Sequence, residues 1–153
     1  MKSLENKIPP PVLMLIVAAT MWGAAKIQSP VSIESHLRIG LMLTLGVVAL
    51  TFSIGGVTAF RAAKTTINPA QIDRASRVVT GGIYRFSRNP MYVGLTALLA
   101  GWAVLLAVPL TAIGPIAFAL FMHRFQILPE ERVMAAKFGH EYLDYKQRVR
   151  RWI

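Results

Sequence analysis

Residues 84–94 read Tyr-Arg-Phe-Ser-Arg-Asn-Pro-Met-Tyr-Val-Gly, a polar knot set directly against a long apolar run. Pro90 biases Asn89 away from helical geometry and is itself suited to the first turn of a helix. The unused amide donors of that turn, with Arg85 and Arg88 beside them, make an anion-friendly mouth. Tyr92 and Gly94 fall in the turn that follows, where a glycine lets another group approach closely. A second constellation follows about 35 residues later: His123-Arg124, then Pro129-Glu130-Glu131. Ionisable groups at membrane depth are costly and face a cavity or a partner. A glutamate there can accept hydrogen bonds from a ribose hydroxyl or an ammonium. Both constellations also have a plainer reading. Basic residues anchor a loop on one side of a bilayer, Tyr92 joins the aromatic belt, Arg124 reaches for headgroups, and the glutamates complement a helix N-terminus.

What the chain lacks narrows the chemistry. It has no cysteine, hence no thiolate nucleophile, Cys-ligated zinc site or iron–sulfur cluster. It has no phosphate-binding P-loop, no Gly-x-Gly-x-x-Gly, and no Cys/His cluster at metal spacing, so no metal is assigned. Ser87 has no evident His–Asp partnership, and His36 and His140 stand alone. A reaction that needs mostly positioning is favoured. Methyl transfer from a sulfonium is of this kind, because the leaving group is already activated and alignment supplies much of the rate.

The elements that must position these groups are apolar. The 153 residues are 54% hydrophobic and 16% charged, with a mean hydropathy of +0.49. No Asp, Glu, Lys or Arg occurs from Ile8 to Ala25, from Ile39 to Phe60 or from Asn89 to His123. Runs of about 20 such residues span a bilayer core. As one helix, 89–123 would reach about 52 Å at about 1.5 Å per residue, too long for one crossing. Pro109 and Gly114-Pro115 divide it. The expectation is therefore an all-α integral membrane protein, a single domain over 1–153, with four transmembrane helices near 10–28, 37–60, 91–107 and 111–127. The first is a retained helix rather than a signal peptide, because Lys26-Ile27-Gln28-Ser29-Pro30 is a poor cleavage site.

Alternation of these helices places the N-terminus, the 61–90 loop and the C-terminal tail on one face. That face carries all of the 17 Lys and Arg except Lys26 and Arg38, so it is cytoplasmic. The net charge of +10 is thereby topological, with no nucleic-acid partner implied. The tail from Pro129 mixes Val133, Phe138, Tyr142, Tyr145 and Val149 with basic residues, as an amphipathic helix at the membrane interface does, interrupted at Gly139. Asn68-Pro69 and Gly81-Gly82 mark turns in the loop. The small size and lack of targeting signals point to a prokaryotic inner membrane.

Val78-Val79-Thr80-Gly81-Gly82-Ile83-Tyr84-Arg85 followed by Ser87-Arg88-Asn89-Pro90-Met91-Tyr92-Val93-Gly94 resembles the isoprenylcysteine carboxyl methyltransferases and the related phospholipid methyltransferases. So do Pro129-Glu130-Glu131-Arg132, Phe138-Gly139-His140-Glu141-Tyr142 and Tyr145-Lys146-Gln147-Arg148-Val149-Arg150-Arg151-Trp152. The resemblance covers about residues 40–153 and is to the short, bacterial type. It implies a membrane-embedded methyltransferase using S-adenosylmethionine, with its cofactor site drawn from 80–94 and 123–150. Tyr84, Arg88, Asn89, Pro90, Tyr92 and Gly94 would line one wall, Glu130 and Glu131 the other, with the C-terminal region closing over them. Many eukaryotic members carry His where this chain has Asn89, which cannot titrate.

On this reading an amphiphilic or lipid-like acceptor enters from the membrane between helices, a carboxylate such as prenylcysteine being one candidate. Arg124 would hold an acceptor carboxylate, and His123 or water would deprotonate an amine or thiol acceptor. Two alternatives come from other classes: a nicotinamide-dependent membrane reductase of the sterol-reductase type, and a non-catalytic membrane scaffold.

Overall fold

The computed structural model describes residues 5–64 and 76–153. The Asn68-Pro69 turn therefore lies outside the described residues. Helix α1 is Pro10–Ala24 and α2 is Ser35–Ala62. A single 3-10 turn, Gly82–Arg85, precedes α3 at Pro90–Leu106. A second 3-10 turn, Pro109–Ala112, leads into α4 at Ile113–Met122. A widened π-turn, His123–Ile127, then runs into α5 at Leu128–Phe138, and α6 covers His140–Arg148. No strand occurs among the described residues.

Each boundary has a local cause. Pro10 and Pro90 open their helices from the first turn, where a missing N–H costs nothing. Glu34 caps α2 by accepting from the His36 and Leu37 amides at 3.3 and 3.1 Å. Ala107 ends α3 in the left-handed conformation at φ 54°, and Pro109 begins the tight link foreseen between the third and fourth apolar runs. The first helix stops at Ala24, earlier than the expected 28.

The tail differs more. Pro129 does lie in the first turn of α5, with Glu130 and Glu131 beside it, but the chain enters α5 through the π-turn without leaving helical geometry, so the tail is not set apart there. From Pro109 to Phe138 the result is one 30-residue helical body. It and the 28-residue α2 are long and apolar enough to cross a membrane, while α1 and α3 are shorter apolar helices of 15 and 17 residues.

The core sits between α1, α3 and α4. Met21, Tyr92, Leu99, Phe118, Met122 and Ile127 are buried together, with Trp102 and the tail residue Trp152 packed against them. Trp102 donates its indole N–H to the Ala18 carbonyl at 3.1 Å, tying α3 to α1. Outside this core the helices stay apolar. Leu43, Val47, Leu50 and Ile54 on α2, and Ile116 and Leu120 on α4, are exposed. Large apolar side chains on the outside of a bundle suit a hydrocarbon solvent rather than water.

Helices α2 and α3 approach so closely that Gly94 has no room for a side chain. A Cβ there would sit 2.9 Å from the Ala49 carbonyl oxygen and nearer still to Ser53. Gly40, also on α2, has nothing within 4 Å of its would-be Cβ. Gly94→Ala should therefore lower stability by about 1–3 kcal/mol through overpacking, whereas Gly40→Ala should be neutral or raise it by about 0.5–1 kcal/mol. Thermal unfolding of the two variants in the same detergent checks this.

Candidate functional site

The polar knot before α3 and the acidic pair on α5 meet. Tyr92, in the first turn of α3, donates its phenol to Glu130 Oε1 at 2.6 Å. Arg88, four residues earlier, donates Nη2 to Glu131 Oε1 at 2.7 Å, with both side chains only 7% exposed. Adjacent carboxylates thus take different partners: Glu130 a neutral phenol, Glu131 a cluster of cations. Arg151 adds Nε to Oε1 at 2.8 Å and Nη2 to Oε2 at 2.9 Å, a bidentate fork, and Lys146 Nζ lies 3.1 Å from Oε2.

The C-terminal tail is held to the same place through its backbone. Arg88 donates its amide to the Arg150 carbonyl at 3.0 Å and Nη1 to the Lys146 and Val149 carbonyls at 2.7 and 3.0 Å. Asn89 donates Nδ2 to the Arg151 carbonyl at 2.9 Å, and its own amide is taken by Ser87 Oγ at 3.1 Å. Arg88 Nε is the exception: it is buried and has no partner among the described residues. An unpaired buried guanidinium N–H is uncommon in a folded protein.

Behind the knot lies a second buried cluster of Val78, Tyr84, Tyr142 and Tyr145. Tyr145 donates its phenol to the Tyr84 carbonyl at 2.8 Å, and Phe60 meets Tyr84 edge-on at 5.4 Å between centroids. Burial first, and the neighbouring Tyr145 and Glu130 groups after it, push the Tyr84 phenol far above the usual tyrosine range. Tyr142 and Tyr145 are raised by burial in the same sense. Each shift favours the neutral phenol, and of the three Tyr145 is seen to donate. The aromatic side of α6 therefore faces the protein, although its pattern reads equally as a membrane-interface helix.

The remaining candidates divide. His123 comes to the cluster, with Arg151 Nη1 at 3.4 Å from its Nε2. A guanidinium only donates, so this contact uses Nε2 as an acceptor. Pro90 is buried at the start of α3, and Gly94 is spent on the approach of α2. Arg124 points elsewhere, to Glu5 at 3.9 Å. Arg151 and Lys146 were not singled out as site residues from the sequence. In a tail rich in Lys and Arg they look like any other topological cations, and only the fold selects them.

The family model for phospholipid methyltransferases matches residues 36–141. The chain belongs to the phospholipid methyltransferase family. An uncharacterised protein of Haemophilus influenzae is 44% identical over 63 residues, covering 41% of this chain and 100% of that protein. The Arabidopsis thaliana protein-S-isoprenylcysteine O-methyltransferase B is 38% identical over 76 residues, 48% of this chain and 37% of that one. The Mus musculus protein-S-isoprenylcysteine O-methyltransferase is 39% identical over 75 residues, 47% of this chain and 25% of that enzyme. The chain thus spans about a quarter to two fifths of the named methyltransferases it matches. No solved structure matches it.

For a member of this family the cation–carboxylate knot has a measurable weight. Glu131→Ala leaves the buried Arg88 uncompensated and should cost about 3–5 kcal/mol. Lys146→Ala, whose side chain is 41% exposed, should cost under about 1 kcal/mol. Chemical unfolding of each variant in detergent measures the difference.

Proposed function

We propose that the protein is an S-adenosylmethionine-dependent methyltransferase of the membrane, acting on an amphiphilic or lipid-like acceptor. The observation that carries the reading is the junction of the two motif segments at Tyr92–Glu130 and Arg88–Glu131. Beside that junction lies the unpaired Arg88 Nε. The donor set fits the cofactor. Arg88 Nε can donate to the carboxylate of its methionine part, and Glu130, beside Tyr92, can accept from its ammonium or ribose hydroxyls. Tyr84 and Asn89 support that wall, Glu131 stands opposite, and the pinned tail closes over it.

When bound, the cofactor supplies a methyl group already activated on a sulfonium. The chain's part is to hold the reactants in line and keep water out. The buried core of Leu99, Phe118 and Met122 next to Tyr92 supports an acceptor with an apolar portion. A carboxylate acceptor such as a prenylcysteine, as in the names of the plant and mouse relatives, is anionic at neutral pH and needs no base. An amine or thiol acceptor would hand its proton to water, or to His123 Nε2 once Arg151 releases it. Arg124 would take an acceptor carboxylate only by exchanging Glu5 for it.

All four apolar helices cross the membrane on this reading, with both termini in the cytoplasm of a prokaryotic inner membrane. The support is the one-sided distribution of Lys and Arg, together with the exposed apolar sides of α2 and α4. The soluble cofactor then arrives on the side where the junction lies.

Transfer of a radiolabelled methyl group from S-adenosylmethionine into a lipid extract of the host tests the activity, and the labelled species names the acceptor. Glu130→Ala should weaken cofactor binding by at least about tenfold, about 1.4 kcal/mol, as read by calorimetry. Unchanged affinity would overturn the site.

A further inference from the structure

Glu5 and Asn6, ahead of α1, lie against the widened turn that precedes the acidic pair. Pro129 has no N–H to give back to the turn that precedes it. From outside the helix, the Asn6 amide donates to the Phe125 carbonyl in that turn at 3.1 Å. One residue before it, Glu5 reaches across the turn. Its Oε2 lies 2.6 Å from Arg132 Nη2 on α5, and its Oε1 lies 3.9 Å from Arg124 Nη1 in the turn itself. The Glu5 side chain is only 19% exposed, whereas those arginines are 57% and 47% exposed.

Asn6 bears two costs in this position. Its φ is 56°, a conformation uncommon outside glycine, and its buried Oδ1 has no partner among the described residues. Strained, under-satisfied residues persist only where the surroundings over-determine them, and they cluster at functional sites.

We propose that Glu5 and Asn6 are positioning residues of the methyl-transfer site, an assignment that rests on the proposed function. A π-turn holds one residue more than an α-turn, and such turns are rare and frequent at functional sites. That extra residue sets the rotational phase of α5 against α4, and one residue is about 100° around a helix. With the Phe125 carbonyl bonded by the Asn6 amide and its two sides tied by one carboxylate, the turn keeps Glu130 on Tyr92 and Glu131 on Arg88. Without that strap the turn is free to tighten, and both carboxylates swing off their partners. Neither Glu5 nor Asn6 touches the reactants on this account.

The test uses the full chain in detergent, with S-adenosylmethionine affinity read by calorimetry and folding by thermal unfolding. Glu5→Ala should raise Kd about tenfold while shifting Tm by only a few degrees. Glu5→Asp should recover part of that loss. Asn6→Gly, which keeps the amide donor and suits the positive φ, should bind as the wild type does. Hydrogen exchange of amides 123–131 needs no cofactor and should quicken in Glu5→Ala. Wild-type binding combined with an unchanged Kd and unchanged exchange in Glu5→Ala overturns the positioning assignment alone. Failure of the wild-type chain to bind S-adenosylmethionine overturns the functional reading and this assignment with it.

Discussion

A buried carboxylate must be neutralised, and Glu131 is met by cations from three directions. Arg88 comes from the segment before α3, Lys146 from α6, and Arg151 from the chain beyond it. Removing charges from water is expensive, so such a cluster contributes less net stability than its short distances suggest. Its consequence is geometric. Three parts of the chain that could dock in many ways are allowed one arrangement, because any other leaves a buried charge unpaired. Through Arg88 the knot also fixes the backbone of residues 146–150, and through Arg151 it reaches His123.

The rest of the site hangs from that constraint. With Glu131 fixed, its neighbour Glu130 is delivered to Tyr92, a neutral donor at the edge of the apolar core. A cationic cluster thus stands beside a carboxylate and a phenol. This polarity suits a zwitterionic cofactor that also carries a sulfonium. The tail, pinned by Arg88 and Asn89 through its own carbonyls, becomes part of the site rather than an appendage, and Trp152 seats its end in the core.

Much of this could be read from the residues. Charge-free runs mark the apolar helices because a membrane tolerates little else, and Pro109 divides the third run where the structure places its turn. The two motif segments were placed on one face by alternation, and they do meet. The misreadings have physical reasons. A pattern such as Tyr142, Tyr145 and Val149 among lysines and arginines is the same whether its apolar side meets lipid or protein, and here it meets Tyr84 and Val78. Gly94 allows a close approach, as its type suggests, but the approaching group is the backbone of α2. Pro129 does lie in the first turn of α5, yet a widened turn leads into it without a break, so the tail is not set apart. Arg151 and Glu5 carried no local signal, since their partners lie 20 and 127 residues away.

The central claim is that the two motif segments and the tail enclose the cofactor. Photo-crosslinking of labelled S-adenosylmethionine to the full chain, followed by peptide mapping, addresses it directly. The account predicts label within residues 84–94 or 123–151, abolished by an excess of unlabelled cofactor. Label confined to α1 or to the outer half of α2, or label indifferent to competition, would contradict it.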